Sequence, residues 1–132
     1  MTAPGLADVK AVVRDREAFA RMPVSSHPAL GVFFADTLWT NDQRDHAFRV
    51  EVCIGVGSME SAQASEDLLL AYIEAVEDAL WSVPTLGGLV RTMALGLVRR
   101  ARTKVESHWC SQATLLVVYA AKAHWKEAQS DE

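Results

Sequence analysis

Cysteine is scarce in this sequence, and long hydrophobic runs are absent. Cys53 and Cys110 are the only cysteines, too few for the disulfide framework of a small secreted domain. Charged side chains interrupt residues 1–20, so the sequence predicts no signal peptide. The longest apolar run, residues 113–121, is broken by Thr114 and is far shorter than the roughly 20 residues that cross a bilayer. These absences favour a soluble protein that is made in the cytoplasm and does not enter a membrane.

Positive charge is also in short supply. The 13 lysines and arginines are outnumbered by 17 aspartates and glutamates, which gives a net charge of −4 and a sequence pI of about 5.5. A protein that binds the phosphate backbone of nucleic acids usually has a basic domain, so the charge balance disfavours a dedicated nucleic-acid-binding protein. DNA that moves past an acidic surface remains compatible with the charge balance.

No linker divides the chain. Its four prolines and seven glycines are scattered, and half of the 132 residues are apolar, which is enough for one core at this length. The sequence therefore predicts a single domain over residues 1–132. Loose ends are expected at about residues 1–5 and 127–132.

Residue types that form catalytic, metal or cofactor sites are present, but the sequence does not group them into such a site. His108 and Cys110 share a predicted strand face, yet a zinc site needs two further ligands. Both cysteines fall inside predicted strands, where a free thiol usually packs as a small apolar residue. The glycines of residues 55–57 lack the third glycine of a dinucleotide-binding turn. Carboxylate pairs on a helix face, such as Glu74 with Asp78, have nothing to separate their pKa values. The sequence predicts no catalytic, metal or cofactor site, and a protein that is not an enzyme.

Hydrophobic periodicity predicts two helices and four strands. Residues 6–22 place their apolar side chains near one helical face, and Pro23 ends this helix. The later elements are a strand at 32–39, a turn at 40–45, a strand at 48–56, a helix within 59–83, and strands at 90–105 and 109–121. In the strand at 48–56, one face is predicted to lie in the core, and its residues are Phe48, Val50, Val52, Ile54 and Val56. The predicted fold is α+β: an antiparallel or mixed sheet of about four strands with two helices packed on it, in the order α-β-β-α-β-β.

The second helix has the clearest pattern. Leu70 and Trp81 lie off its apolar face and are expected to be partly exposed. Ser58 or Ser61 can cap its first turn, and a glycine pair reverses the chain after its end. The residues of the predicted buried stripe are Leu69, Tyr72, Ile73, Val76, Leu80 and Val83. The closing strand, apolar throughout, is expected to be buried on both faces.

Charge is segregated between the second helix and the strand that follows it. The helix region contains acids and no base, whereas residues 91–104 contain bases and no acid. The two groups could pair within one chain, or they could meet between neighbouring copies as a subunit interface. The sequence leaves both possibilities open. The candidate interface residues are Arg99, Arg100, Arg102, Lys104, Glu74, Glu77 and Asp78.

The order of these segments supports a comparison with a known family. A first helix is followed by an aromatic strand (VFFADTLW), an alternating strand (FRVEVCIGV) and an acidic helix (ASEDLLLAYIEAVEDALW). A PTLGGLV turn and two closing strands that end in TLLVVYAA complete the plan. Over residues 6–121 the plan resembles the bacteriophage tail-terminator and tail-completion proteins, small α+β proteins of the head–tail junction.

The resemblance implies a structural virion protein of the tail or neck, assembled in the host cytoplasm. Such a protein forms a ring, commonly a hexamer, that caps the completed tail-tube protein and offers a docking surface for the head-completion or connector protein. Double-stranded DNA passes through the lumen without sequence-specific binding. No cofactor and no membrane are implied.

Two alternatives accompany this expectation. The first is a head-completion or minor tail protein of the same junction. The second belongs to another class: a small ferredoxin-like dimer that binds a ligand or acts as an enzyme. Concentration-dependent assembly into a ring favours the terminator, whereas a stable dimer with a deep pocket favours the ligand-binding protein.

Overall fold

The computed structural model of the chain describes residues 6–23, 26–39, 45–90, 92–105 and 107–122. A 3₁₀ turn at Leu6–Asp8 precedes the main elements. These are β1 (Ala11–Val13), α1 (Arg16–Ala20), β2 (Ala29–Trp39), β3 (Asp45–Ser58), α2 (Ala62–Ser82), β4 (Thr92–Val105) and β5 (His108–Lys122). The ends expected to be loose, and residues 40–44 of the predicted turn, lie outside the described residues.

The five strands form one mixed sheet in the order β1-β2-β3-β5-β4. β1 runs parallel to β2, and the other neighbouring pairs are antiparallel. Because β5 pairs with both β3 and β4, these two strands run in the same direction, and α2 is the crossover that connects them. The predicted α+β class with two helices is confirmed. The predicted count of about four strands and the order α-β-β-α-β-β were wrong, because β1 adds a strand before the first helix.

The helix predicted at residues 6–22 is much shorter than expected. Residues 11–13 instead pair with residues 29–31 as strand β1. The helix begins only at Arg16, where the Asp15 side chain accepts a hydrogen bond from the Glu17 backbone N–H at 3.0 Å. Consecutive valines at positions 12 and 13 suit a strand at least as well as a helix, because β-branched side chains restrict χ1. The partner strand β2 therefore decided the structure of this segment.

The main core lies between α2 and one face of the sheet. Val52, Ile54 and Val56 of β3 are buried there, as their alternation predicted. Leu70 and Trp81 of α2 are exposed as expected, but so is Val83, which was predicted to be buried. Val83 is the C-cap residue, where the chain leaves the helix and the periodicity no longer holds. The buried residues of α2 are Ser65, Leu69, Tyr72, Ile73 and Val76.

Both ends of α2 follow from local sequence. The Ser61 hydroxyl accepts a hydrogen bond from the Ala64 backbone N–H at 3.0 Å, so the predicted cap is confirmed. Gly87 and Gly88 have φ values of 72° and 94°, which glycine adopts at little cost. This turn directs the chain into β4. No helix among the described residues is long and apolar enough to cross a membrane.

The second face of the sheet is only partly covered. Phe19 of α1 packs edge-on against Phe33 of β2, with ring centroids 6.0 Å apart. Away from this small cluster, Leu116 and Val118 of β5 are half-buried, and Ala94 of β4 is exposed. The expected burial of β5 on both faces was therefore wrong for this part of the strand, because α1 covers only the end of the sheet near β1. The described residues leave a strip of β4 and β5 open on this face.

Candidate assembly surface

Three of the four candidate bases share the face of β4 that points toward α2. Arg102 lies opposite Ser111 of β5. Ser111 faces α2, since its hydroxyl oxygen is 2.6 Å from that of Ser65 on the helix. Side chains alternate along a strand, so Arg100 and Lys104 lie on the same face as Arg102. These three bases form a group beside the first turns of α2.

Arg99 lies on the opposite face. A β-bulge between Leu97 and Arg99 shifts the register, and Arg99 pairs in the ladder with Thr114. Thr114 belongs to the second face, where its hydroxyl lies 3.5 Å from the Cys53 sulfur. The four predicted bases are therefore divided between two surfaces of the sheet.

Glu66 joins the bases of the first face to α2. Its Oε1 lies 3.4 Å from a guanidinium nitrogen of Arg100 and 3.4 Å from one of Arg102. The helix and the strand thus pair within one chain at this point, which was one of the two arrangements left open by the sequence. All three side chains retain contact with solvent. Each ion pair is therefore expected to add only about 0.2–1 kcal/mol to the free energy of unfolding.

The three candidate acids lie farther along the helix. Glu74 is eight residues beyond Glu66, a separation of about 12 Å at the helical rise of 1.5 Å per residue. Glu74 and Asp78 are exposed, and Glu77 is half-buried. No salt bridge between described residues involves any of the three. The structure therefore does not bring these acids to the basic group within one chain.

Exposed apolar residues on β4 are a feature that the sequence pattern did not reveal. Leu97 pairs with Leu115 and shares the face of Met93 and Leu95 that points toward α2, yet Leu97 is 48% exposed, and Val98 is 55% exposed. They lie at the bulge, on the strand that forms one edge of the sheet. The alternation of apolar residues does not show which strand lies at the edge of the sheet, so it could not reveal that Leu97 is exposed.

One cavity lies on the second face, between α1 and the open strip of the sheet. Its volume is about 320 Å³. Arg16 at its border already forms an ion pair with Glu51 and lies over the Phe33 ring, 4.9 Å from the centroid. Arg99 also contributes to the lining and has no carboxylate partner among the described residues. The remaining lining residues are Phe19, Ala20, Cys53, Ala101, Gln112, Ala113 and Thr114.

The cysteines and histidines of the described part of the chain do not converge on one site. Burial raises the pKa of the Cys110 thiol, which favours the protonated form over the nucleophilic thiolate. Cys53 contacts the Thr114 hydroxyl rather than a base. Within the described ranges, no group of three histidine, cysteine or acidic side chains is placed to hold a metal ion. His124 lies outside the described residues.

His27 gives the fold a dependence on pH. Burial lowers the pKa of His27 below its ordinary value of 6.5, although a hydrogen bond with the Val56 backbone opposes the shift. The folded chain therefore binds this proton less readily than the unfolded chain does. The stabilisation from the neutral His27 ring is fully present above the unfolded pKa. It is lost as the pH falls below about 6.5 toward the lower pKa of the folded state.

We expect the substitution His27→Gln to make the free energy of unfolding fall less between about pH 7.5 and pH 5. Urea titrations at both pH values measure this fall in the wild type and the variant. An equal fall in both proteins would contradict the role of His27 in the pH dependence.

The chain matches no protein-family model, and no curated protein is significantly similar to it in sequence.

Proposed function

We propose that this chain is a structural protein of a phage or prophage-like tail, which assembles into a ring that terminates the tail tube and joins it to the head connector. The observation that carries the proposal is the separation of opposite charges on the fold. The basic group beside the start of α2 includes Arg102, whereas the exposed acids Glu74 and Asp78 lie well along the helix. Each copy thus offers two unlike and electrostatically complementary surfaces. Heterologous contacts between such surfaces form a ring when the rotation per copy closes.

The order of elements from β2 onward supports the same proposal. A long hairpin, an acidic helix, a glycine turn and a second long hairpin follow one another along the chain. This is the part of the plan that resembles the tail-terminator proteins. The short α1 and the added β1 depart from that plan at its start.

The proposed partners follow from the position of such a ring. One side contacts the tail-tube protein, the other contacts a connector or head-completion protein, and DNA passes through the lumen. Exposed carboxylates of α2 would repel the phosphate backbone wherever they line that passage, which lets DNA slide without being bound. The ring belongs to the neck of the virion and assembles in the host cytoplasm.

A ligand-binding dimer is the second candidate function, and the cavity bordered by α1 favours it. Its volume of about 320 Å³ is at the lower end of the range of small-molecule sites, roughly 300–1,000 Å³. The lining combines aromatic residues such as Phe19 with the guanidinium group of Arg99, which suits a small anion with an apolar part.

Light scattering of the purified protein over a range of concentrations, together with negative-stain images, distinguishes the two candidates. The ring proposal predicts particles several times the 14.5 kDa mass of one chain, with a central hole. A dimer that persists at every concentration and shows no ring would favour the ligand-binding protein.

A further inference from the structure

Only one half of the outer edge of β4 carries charged side chains that discourage pairing with another strand. Residues 99–104 carry four bases, and such charges discourage other strands from pairing with an edge. Residues 92–98 contain neither a charge nor a proline, and they include the exposed side chains of Leu97 and Val98. An uncharged edge segment with exposed apolar side chains is a ready template for a further strand.

The other edge of the sheet contains a matching segment. β1 covers β2 only at residues 29–31, so the outer edge of residues 32–39 has no strand partner within the described part of the chain. On this stretch Phe34 is 64% exposed and Val32 is 38% exposed. Asp36 forms an ion pair with Arg49 of the same chain. Both open segments therefore expose apolar side chains.

Strand direction also favours pairing of these two edges. β2 is antiparallel to β3, β3 to β5, and β5 to β4, so β2 and β4 run in opposite directions within one sheet. A second copy placed beside β4 in the same orientation presents its β2 antiparallel to β4. The alternation of strand directions thus continues across the junction.

We propose that residues 92–98 of one copy pair with the open part of β2, from Val32 onward, in a second copy. The pairing is antiparallel and makes the sheet continuous from copy to copy. This inference rests on the proposed self-assembly and names the surfaces that form it. A symmetric pairing of two β4 edges would leave the open part of β2 uncovered in both copies, whereas the head-to-tail pairing covers both apolar segments. Because twisted sheets rotate successive strands, repeated addition turns each copy relative to the last.

Lysine substitutions at the two edges test the pairing. Leu97→Lys blocks the β4 edge, and Phe34→Lys blocks the β2 edge, because an ammonium group enclosed between strands without a partner is costly. Each variant is expected to weaken self-association by about tenfold or more, measured by analytical ultracentrifugation. Leu70→Lys and Val83→Lys are matched controls, since both residues are comparably exposed but lie on α2 and at its C-cap. Circular dichroism checks folding, and Val32→Lys replaces Phe34→Lys if the latter does not fold.

Mixing the two blocked variants gives the decisive result. A head-to-tail interface predicts a heterodimer of about twice 14.5 kDa, which uses β4 of the Phe34→Lys chain and β2 of the Leu97→Lys chain. Symmetric β4 pairing would instead leave Phe34→Lys as a homodimer and give no heterodimer, which overturns the inference. If both lysine variants self-associate as strongly as the wild type, the edge pairing is also overturned, but the proposed ring is not. Edge pairing without any capping of tail tubes would overturn the proposed function alone.

Discussion

Reversing the charges of Arg99, Arg100 and Arg102 together is expected to weaken self-assembly by about tenfold or more. Like charges brought together across an interface are strongly unfavourable, and the reversed side chains of Arg100 and Arg102 would face the exposed acids of a neighbouring copy. The assembly that remains should also depend less on salt, because its attractive charge pairs have been removed. Sedimentation velocity at low and high ionic strength measures both effects.

Two companion variants separate the interface from the fold. Arg100 and Arg102 also contact Glu66 of their own chain, so Glu66→Lys in the reversed background restores that local pairing without restoring the interface. Combining the three reversals with Glu74→Lys, Glu77→Lys and Asp78→Lys exchanges the signs of both surfaces. Assembly should then recover toward the wild-type level. If the triple reversal leaves assembly unchanged, the basic group is not at the interface.

Truncation of Leu115 to alanine is expected to lower the free energy of unfolding by about 2–5 kcal/mol. Leu115 is fully buried, lies on β5 between β3 and β4, and faces α2 together with its ladder neighbour Val52. The substitution removes buried apolar surface and leaves a cavity that the rigid sheet cannot close. Urea unfolding at low protein concentration measures the loss.

The adjacent residue supplies a matched control. Leu116 is half-buried and lies on the second face of the same strand, so Leu116→Ala should cost clearly less than Leu115→Ala. Equal losses at the two positions would contradict the one-sided core.

Local patterns predicted the elements whose burial is set by their own periodicity. The alternation of β3 placed Val52 and Ile54 in the core, and the stripe on α2 identified Tyr72 and Val76. The Ser61 cap and the glycine turn were equally predictable, because each depends on chemistry within a few residues.

Features that depend on distant parts of the chain were missed. Residues 11–13 form a strand because β2 lies beside them, and no local sequence pattern identifies β2 as their pairing partner. The division of the candidate bases was missed for the same reason. A β-bulge before Arg99 places this residue on the opposite face of the sheet from Arg100. The edge position of β4, which leaves Leu97 exposed, is a property of the whole sheet. Sequence therefore identified the charged residues but not their division between two surfaces.

The most direct test of the central claim is electron microscopy of tail tubes that assemble in the presence of this protein, with the tube protein from the same phage or prophage. We predict tubes that stop growing and carry a ring of this protein at one end, while tubes without it continue to lengthen. Tubes that grow equally in both mixtures, with no density added at their ends, would contradict the proposed function.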